Sequence, residues 1–385
     1  MTKSQKPQKK RIVFKVGTNV LVDKNNKLSS SRLKSICDQL ARLSKCGNEV
    51  LLVSSGAVGL GRRSLPKLKN STLVAKQALA SVGQAQLIEA YRKNFNPSIH
   101  VAQILVTHAD LSRRRTYVHL RETIEELLKW RVIPIINEND TLSVEELSTE
   151  KKSFGDNDKL SAIVSAKIDA DILVLLTDVD GLFTSNPKKS TSATLISEIN
   201  SFSELRGVST LGKSAIGRGG MTSKLDAAQL ASMSGVETFF VNGLKKDRLK
   251  HFVDTLVSTQ VKMTKPHTRV VAVTTHKIKN KKRWLQAGSG LKGAIRLNEG
   301  AVEAVKNKNA SVLAVGITQV IGNFKSGDVI QILNSQDSEI GRGISFFSSK
   351  ELDTVKGLKS SELPKQLSGE SGGKAAIHRN NLILF

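Results

Sequence analysis

The chain has 385 residues, which is enough to bury a sizeable core and predicts two domains rather than one. Hydrophobic residues make up 39% of it, which excludes a disordered chain, and no apolar run approaches the roughly 20 residues that a membrane-spanning helix needs. The formal net charge is +25, but the basic residues are spread along the whole sequence and aromatic residues make up only 4%. Charge alone therefore does not indicate a nucleic-acid-binding protein.

The first residues and the cysteines bear on the compartment. Residues 1–11 are basic but have neither the apolar core nor the small-residue cleavage site of a signal peptide, and we expect them to form a disordered tail. Cys37 and Cys46 are too few for a disulfide framework and do not follow a metal-ligand pattern. These features predict a cytoplasmic protein with reduced thiols.

Short apolar runs alternate with helix-like segments over the first two thirds of the chain. The run 12–16 is typical of a buried strand, and Leu33, Ile36 and Leu40 recur after it at helical spacing. Further strands are predicted at 50–53, 101–107, 132–136, 172–176 and 237–241, and helices at 73–95, 111–130, 159–168 and 220–233. This alternation predicts a mainly parallel, open α/β sheet sandwiched by helices, over residues 12–263.

The pattern changes after about residue 263. Residues 264–275 are predicted to be a linker, because Pro266 and polar residues interrupt the helix-and-strand alternation there. From 276 to 385, short alternating strands are separated by many glycines. This composition predicts a separate, small, mostly β domain with a C-terminal tail.

Polar motifs follow four of the predicted strands. They are 15–19, 54–57, 137–140 and 177–180. In a parallel sheet, ligands collect beyond the carboxyl ends of the strands. The repeated placement of polar motifs at these ends predicts one ligand site there.

Two glycine-rich stretches, 155–158 and 217–224, each precede a helix-like run. A helix N-terminus offers unpaired N–H groups and partial positive charge, and glycines let the backbone approach a phosphate. Lys15 and Lys224 add cations beside such glycines. Because phosphoryl transfer depends mainly on positioning and positive charge, these features predict a phosphoryl-transfer enzyme.

Acidic and polar residues in these motifs are candidates for aligning the two lysines and for binding the substrate and the nucleotide. Asp158 is suited to hold the two lysines apart and aligned, although an acid in the first turn of a helix also satisfies the helix dipole. Asp140 is a candidate counter-charge for a substrate amine, and Ser55 and Gly56 could donate backbone N–H groups to a carboxylate or phosphate. The pair 177–178 either holds nucleotide or metal, or only begins the following turn.

Residues 207–214 match the P-loop pattern letter for letter. A P-loop must follow a buried strand and open a helix. The preceding run 202–206 is polar and the following run 215–220 contains three glycines, so we reject a P-loop here.

Taken together, these motifs resemble the amino acid kinase family, specifically its glutamate kinases, which carry a C-terminal PUA domain. The matching stretches are 15–21, 54–57, 137–140, 155–162, 176–178 and 219–225. The resemblance implies the amino acid kinase fold followed by a PUA-like domain. It also implies ATP-dependent phosphorylation of the side-chain carboxylate of L-glutamate to L-glutamyl 5-phosphate, the first step of proline biosynthesis.

The resemblance also implies roles for individual residues. Lys15 is similar to the ATP-contacting lysine, Lys224 to its partner in the nucleotide loop, and Asp158 to the residue that organises both. The implied glutamate contacts are Ser55, Gly56, Asp140 and Asn157. The implied ATP-binding residues besides Lys15 are Thr177, Asp178, Arg218, Gly219, Gly220, Met221, Thr222, Ser223 and Lys224. Magnesium is implied as a bridge to the ATP phosphates rather than as an ion held by protein side chains, and the family is inhibited by proline and forms homo-oligomers, here a dimer or tetramer.

Two alternatives stay open at this point. A relative with the same fold could act on N-acetylglutamate, aspartate, carbamate or a nucleotide; Asp140 favours glutamate, because a free amino group needs a nearby anion and an acetylated one does not. The chain could instead bind RNA through the PUA-like domain and the basic tail, since Lys277, Lys279, Lys281, Lys282 and Arg283 form a local basic cluster.

Overall fold

The computed structural model describes residues 9–23, 25, 27–65, 72–143, 157–185, 187, 190–205, 221–273, 291–308, 310–359, 362 and 375–384. The chain divides into two compact units, Met1–Lys277 and Ile278–Phe385. Several sequence motifs lie outside the described residues: the tail 1–8, residues 155–156 and 217–220 of the glycine-rich stretches, the P-loop match 207–214 and the basic cluster 277–283.

The first unit alternates strands and helices, as predicted. Its elements are β1 (Arg11–Val16), α1 (Thr18–Leu21), α2 (Ser30–Lys45), β2 (Glu49–Ser54), α3 (Ala57–Ser64), α4 (Leu73–Asn94), β3 (Val101–Val106), α5 (His108–Ser112), α6 (Arg114–Lys129), β4 (Ile133–Glu138), α7 (Asn157–Lys167), β5 (Ile172–Thr177), β6 (Leu182–Phe183), β7 (Leu195–Ile196), β8 (Glu198–Ile199), α8 (Met221–Met233), β9 (Glu237–Asn242), α9 (Lys246–Val257) and β10 (Thr268–Val270). A short 3₁₀ helix, Phe202–Leu205, follows β8.

Eight described strands form the main sheet in the order β3-β4-β2-β1-β5-β9-β10-β8. All neighbours pair in parallel except β9 and β10, so the predicted mainly parallel sheet is confirmed. A hydrophobic core lies on each face of this sheet. Successive side chains of β1 pack into the two cores in turn, because neighbouring residues of a strand point to opposite faces. Val13 packs on the side of α6, α7 and α8, whereas Ile12 and Phe14 pack on the side of α2, α4 and α9.

Three details of this unit differ from the sequence predictions. The predicted helix 111–130 is two helices, because a capping box between Thr107 and Asp110 starts α5 and extended backbone at Arg113 separates it from α6. Helix α3 follows the turn at 54–57, where no helix was predicted. The segment 264–275, predicted to be a linker, contributes β10, which pairs antiparallel with β9 and parallel with β8.

The second unit is mostly β in its described part. It contains β11 (Gly293–Leu297), α10 (Glu299–Asn307), β12 (Val312–Leu313), β13 (Ile317–Gly322), β14 (Val329–Leu333), β15 (Glu339–Ile344), α11 (Ser349–Val355), β16 (Ala375–Ile377) and β17 (Leu382–Leu384). Five strands form a sheet in the order β13-β11-β14-β15-β17, and β12 pairs with β16. Ile295, Ile330 and Leu352 belong to its core. Among all helices that the structure describes, none is long and apolar enough to cross a bilayer.

Candidate functional site

A cavity of about 460 Å³ opens at the carboxyl ends of β1, β2, β4 and β5, which are neighbours in the sheet. Its wall combines four of the sequence motifs with parts of α3 and α4. The polar and glycine residues on it include Lys15, Gly17, Thr18, Asn19, Ser55, Gly56, Gly59, Arg62, Lys76, Gln77, Asn137, Glu138, Asp140, Ser143, Asn157, Thr177, Asp178 and Lys224. The parallel sheet thus brings residues more than 200 positions apart to one opening.

Two lysine side chains meet one carboxylate at the wall of this cavity. Lys15 Nζ lies 2.6 Å from Asp158 Oδ1, and Lys224 Nζ lies 3.0 Å from Asp158 Oδ2. Asp158 is fully buried, Lys15 is 4% exposed and the Lys224 side chain 15%. Ser223 Oγ, on the same turn of α8 as Lys224, donates to Asp158 Oδ2 at 3.3 Å. A strand end and the first turns of two helices therefore place both ammonium groups side by side.

The charges of this cluster determine the protonation of Asp158. Burial by itself raises the pKa of the carboxyl group, since it penalises the charged form. The attraction and hydrogen bonds of Lys15 and Lys224 outweigh that effect, so the pKa of Asp158 lies below its ordinary value. The cluster thus holds two positive charges around one negative charge and keeps a net positive charge at the cavity wall.

A chain of side-chain amides forms the next part of the wall. Asn157 Nδ2 donates to the Ser54 carbonyl at 3.0 Å, to Ser55 Oγ at 2.8 Å and to Asn137 Oδ1 at 2.9 Å. Asn137 Nδ2 in turn donates to Gln84 Oε1 at 2.9 Å. These bonds tie the start of α7 to the ends of β2 and β4 and to α4. Asn157, beside Asp158, is thereby held in place together with Ser55.

Close helix packing positions the turn after β2. Gly56 has φ +115°, a left-handed conformation that favours glycine, and α3 begins at the next residue. A Cβ at Gly83 would lie 1.8 Å from the Ala57 carbonyl oxygen, and a Cβ at Gly61 would lie 1.8 Å from that of Leu79. Helices α3 and α4 therefore pack backbone to backbone, and this packing sets the position of the Ser55–Gly56 turn.

The loop that follows β4 carries Asp140 into the cavity. Helix α4 holds this loop: Gln77 Nε2 donates to the Ser143 carbonyl at 2.9 Å, and the Ser81 and Thr141 hydroxyls are 2.9 Å apart. Ser143 Oγ also donates to Glu138 Oε1 at 2.9 Å. The acidic side chains of this loop are thus placed by bonds on both sides of Asp140.

Residues predicted to bind the nucleotide lie at the end of β5 and the start of α8. Thr177 and Asp178 line the cavity, and Thr177 Oγ1 donates to the Val179 carbonyl at 2.6 Å. Asp180, two residues after Asp178, accepts a hydrogen bond from Asn242 and forms ion pairs with Lys245 and Arg248. Met221, Thr222 and Ser223 form the first turn of α8, while the predicted contacts Arg218, Gly219 and Gly220 lie outside the described residues.

Several cavity residues were not identified from the sequence. Arg62 on α3 and Lys76 and Gln77 on α4 line the cavity. Gln84 on α4 accepts from Asn137, a residue of the predicted motif 137–140, and so joins the amide chain. No helix was predicted at α3, and α4 was predicted without any indication of which of its sides faces the sheet. Gln77, Ser81 and Gln84 recur at helical spacing on α4. This polar stripe was the signal that could have indicated that α4 faces a polar site.

The described part of the chain has no group of three or more histidine, cysteine or acidic side chains that could hold a metal ion. Both oxygens of Asp158 are engaged by ammonium groups. The negative charge of Asp158 is therefore offset by two cations.

Comparisons with known proteins match both units. The model of the amino acid kinase family matches residues 10–242, and that of the PUA domain matches residues 293–367. The chain is 40% identical over 376 residues to glutamate 5-kinase 2 of Pseudoalteromonas translucida, covering 97% of this chain and 98% of the relative. It is 39% identical over 382 residues to glutamate 5-kinase of Aliivibrio fischeri, covering 98% and 99%, and 37% identical over 383 residues to that of Dehalococcoides mccartyi, covering 98% of each.

Proposed function

The chain belongs to the amino acid kinase family, among its glutamate 5-kinases, and we propose that its cavity performs their reaction with Lys15 and Lys224 as the electrostatic centre. The family predicted from the sequence motifs is thereby confirmed. The reaction is the ATP-dependent phosphorylation of the side-chain carboxylate of L-glutamate. The observation that supports the proposed centre is the meeting of both lysines on the buried Asp158 at the cavity wall.

The chemistry demands little of the protein beyond placement and charge. A side-chain carboxylate oxygen attacks the γ-phosphorus of ATP, the bond to the β-phosphate oxygen breaks, and L-glutamyl 5-phosphate and ADP result. The carboxylate is ionised at neutral pH, so no general base is required. Negative charge on the migrating phosphoryl group must be neutralised, and positively charged side chains in a water-poor cavity do this effectively. Lys15 and Lys224 supply those charges.

Asp158 acts through the two lysines in this proposal. Two ammonium groups brought together in a largely buried place repel one another, and a carboxylate between them offsets that cost. Because Asp158 is held at both oxygens, it keeps the two donors at a defined separation for the phosphoryl group. It is therefore a positioning residue.

The substrate end of the cavity is proposed to lie between the amide chain and the loop after β4. Asp140 offers a carboxylate for the α-ammonium group of glutamate, while Ser55, the Gly56 backbone and Asn157 supply polar groups for the carboxylate that reacts. The hydrogen bonds of Asn157 to the Ser54 carbonyl and to Ser55 Oγ hold it in place for such a contact. This arrangement favours glutamate over its N-acetylated form, which has no charged amine.

ATP is proposed to enter with its phosphates at Lys15 and Lys224 and its remainder toward Thr177, Asp178 and the first turn of α8. A magnesium ion brought in with the nucleotide would neutralise part of the phosphate charge. Inhibition by proline and assembly into a dimer or tetramer are further proposals from the family, to be tested by titrating proline and by sedimentation.

The deciding experiment incubates the purified chain with L-glutamate, ATP and magnesium and traps the acyl phosphate as a hydroxamate. We expect hydroxamate and ADP to form in equal amounts with L-glutamate. Formation with N-acetyl-L-glutamate but not with L-glutamate would overturn the proposed substrate. ADP formation that does not depend on any carboxylate would overturn the proposed reaction.

A further inference from the structure

The cavity holds a cation for which the proposed reaction has given no role. Lys76 is half-buried and lines the cavity from the first turns of α4. Lys15 and Lys224 are paired with Asp158, and Arg62 has an interaction of its own. Among the described residues, no carboxylate pairs with the Lys76 ammonium group. An ammonium group partly removed from water without a counter-ion favours an anionic occupant of the cavity.

The position of Lys76 follows from how α4 is packed. Gly83 meets the backbone of Ala57 and Leu79 meets that of Gly61, so α3 and α4 run antiparallel. The first turns of α4 therefore lie beside the end of α3. The next residue, Gln77, bonds to the Ser143 carbonyl of the loop that carries Asp140. Lys76 thus lies at the part of the wall where α3, α4 and the Asp140 loop come together.

We propose that Lys76 binds the α-carboxylate of the amino acid substrate and thereby sets specificity for a free α-amino acid. This assignment rests on the proposed function. The α-ammonium and α-carboxylate groups of glutamate are attached to one carbon, so their binding partners must lie on the same side of the cavity. Asp140 is the proposed partner of the ammonium group, and Lys76 is the cation tied to its loop through Gln77.

In this arrangement, different charged residues bind the two ends of glutamate. Lys15 and Lys224, joined at Asp158, serve the side-chain carboxylate and the phosphoryl group, whereas Lys76 and Asp140 bind the two opposite charges at the α-carbon. A zwitterionic head between a cation and an anion is held in one orientation, because reversing it would place like charges together. That orientation directs the side-chain carboxylate toward the phosphoryl group.

The test combines a change in the enzyme with a change in the substrate. Lys76→Met removes the charge and keeps most of the apolar stem, Lys76→Arg restores a cation, and Lys93→Met is the matched control. Lys93 is on the same helix, its side chain is 71% exposed and it pairs with Glu89. Each protein is assayed with L-glutamate and with its α-carboxamide, which lacks the α-carboxylate charge but keeps the reacting carboxylate.

For Lys76→Met we expect the KM for glutamate to rise roughly tenfold or more, with kcat and the KM for ATP little changed, because a charged contact made equally in ground and transition states is lost. The unsubstituted protein should prefer glutamate over the α-carboxamide roughly tenfold in kcat/KM, and Lys76→Met should abolish that preference. Lys76→Arg should recover part of it, and Lys93→Met should behave as the unsubstituted protein.

Three outcomes would count against the assignment. An unchanged KM for glutamate in Lys76→Met would overturn it. Equal losses for glutamate and its α-carboxamide in that variant, or in Lys76→Arg if the methionine variant does not fold, would also overturn it, because they would show that Lys76 only supports the wall. Absence of glutamate phosphorylation by the unsubstituted protein would overturn the proposed function itself, which is distinguishable because it precedes any comparison of variants.

Discussion

Lys15 Nζ lies 2.6 Å from Asp158 Oδ1, across 143 positions of sequence, with both side chains almost completely removed from solvent. The second oxygen of the same carboxylate contacts Lys224. An ion pair buried to this extent rarely contributes much net stability, because desolvation of the charges offsets their attraction. Its proposed role is to keep a positive charge in place at the cavity wall for an anionic reactant.

The first prediction concerns the two lysines. Lys15→Met and Lys224→Met should each lower kcat by on the order of a hundredfold or more, the size typical of losing one electrostatic stabiliser of a transition state. Lys129→Met is the control, because Lys129 is exposed and pairs with Glu126 on its own helix. Turnover is measured by ADP release at saturating glutamate and ATP. Retention of normal turnover by Lys224→Met would refute the proposed centre.

The second prediction concerns the charge between the lysines. Asp158→Asn leaves two ammonium groups facing a neutral amide, and we expect the free energy of unfolding at pH 7 to fall by about 3–5 kcal/mol, as when a buried pair loses one partner. The pKa of Asp158 is lowered in the folded protein, so its stabilisation is complete above its unfolded pKa near 3.9 and is lost as pH falls through the folded value.

Denaturant unfolding at a series of pH values measures this effect. The difference between the unsubstituted protein and Asp158→Asn should stay constant from pH 7 down to about pH 4 and shrink below that. The variant should also lose turnover, since its lysines are no longer held together. A stability difference that disappears already near pH 6 would contradict the lowered pKa.

The third prediction separates the substrate end from the nucleotide end. Asp140→Asn should raise the KM for glutamate roughly tenfold or more, because a charge-assisted contact to the α-ammonium group is lost, and should leave the KM for ATP nearly unchanged. Initial rates with one substrate varied at saturating concentrations of the other measure both constants. If the KM for ATP rose while that for glutamate did not, Asp140 would belong to the nucleotide end.

Much of this site could be predicted from the sequence because parallel sheets gather strand ends. Lys15, Ser55, Asp140 and Thr177 each follow or end an apolar run, and the periodicity of those runs alone indicates a common edge. Asp158 and Lys224 could be predicted to lie near helix starts, because each belongs to a glycine-rich stretch that precedes a helix-like run.

The rest of the site could not be predicted, because it depends on which side of a helix faces the cavity and on contacts between residues far apart in the sequence. Local sequence patterns contain neither kind of information. Lys76 lies in a helix whose existence was predicted, but which of its sides meets α3 is set by Gly83 and Ala57, 26 residues apart. The bond between Asn157 and Ser55 joins positions 102 apart. Strand β10 has three residues, too few for a periodic signal, and it forms only because β9 and β8 supply its hydrogen bonds.

The fourth prediction concerns the packing behind the Ser55–Gly56 turn. Gly83→Ala would place a Cβ 1.8 Å from the Ala57 carbonyl oxygen and 2.5 Å from the Gly61 nitrogen, and backbone atoms cannot rotate away as a side chain can. We expect a loss of about 1–3 kcal/mol in the free energy of unfolding, typical of overpacking, together with a higher KM for glutamate.

Gly59→Ala provides the matched stability control on α3. A Cβ there meets nothing within 4 Å, so alanine should stabilise the helix by up to about 1 kcal/mol through its higher helix propensity. Thermal unfolding compares the two variants. Equal melting temperatures for Gly83→Ala and the unsubstituted protein would show that α3 can shift away from α4 at no cost.

The fifth prediction concerns a lysine far from the reaction. Lys167, at the end of α7, is 2% exposed, and its ammonium group lies 4.6 Å from the centre of the Tyr117 ring. Burial lowers the pKa of Lys167 to about 7. In the unfolded chain its pKa is near 10.4, so between these values the unfolded state binds more protons and stability rises with pH by up to about 1.4 kcal/mol per unit.

Lys167→Met should remove this dependence. Below about pH 7 the folded protein must keep a buried charge, and there the variant should gain the most stability; the gain should shrink as pH approaches 10. Urea unfolding of both proteins at pH 6.5, 8 and 9.5 measures the difference, in which the contributions of all other titrating groups largely cancel. A difference that does not vary with pH would show that Lys167 titrates equally in the folded and unfolded chain, and would contradict its lowered pKa.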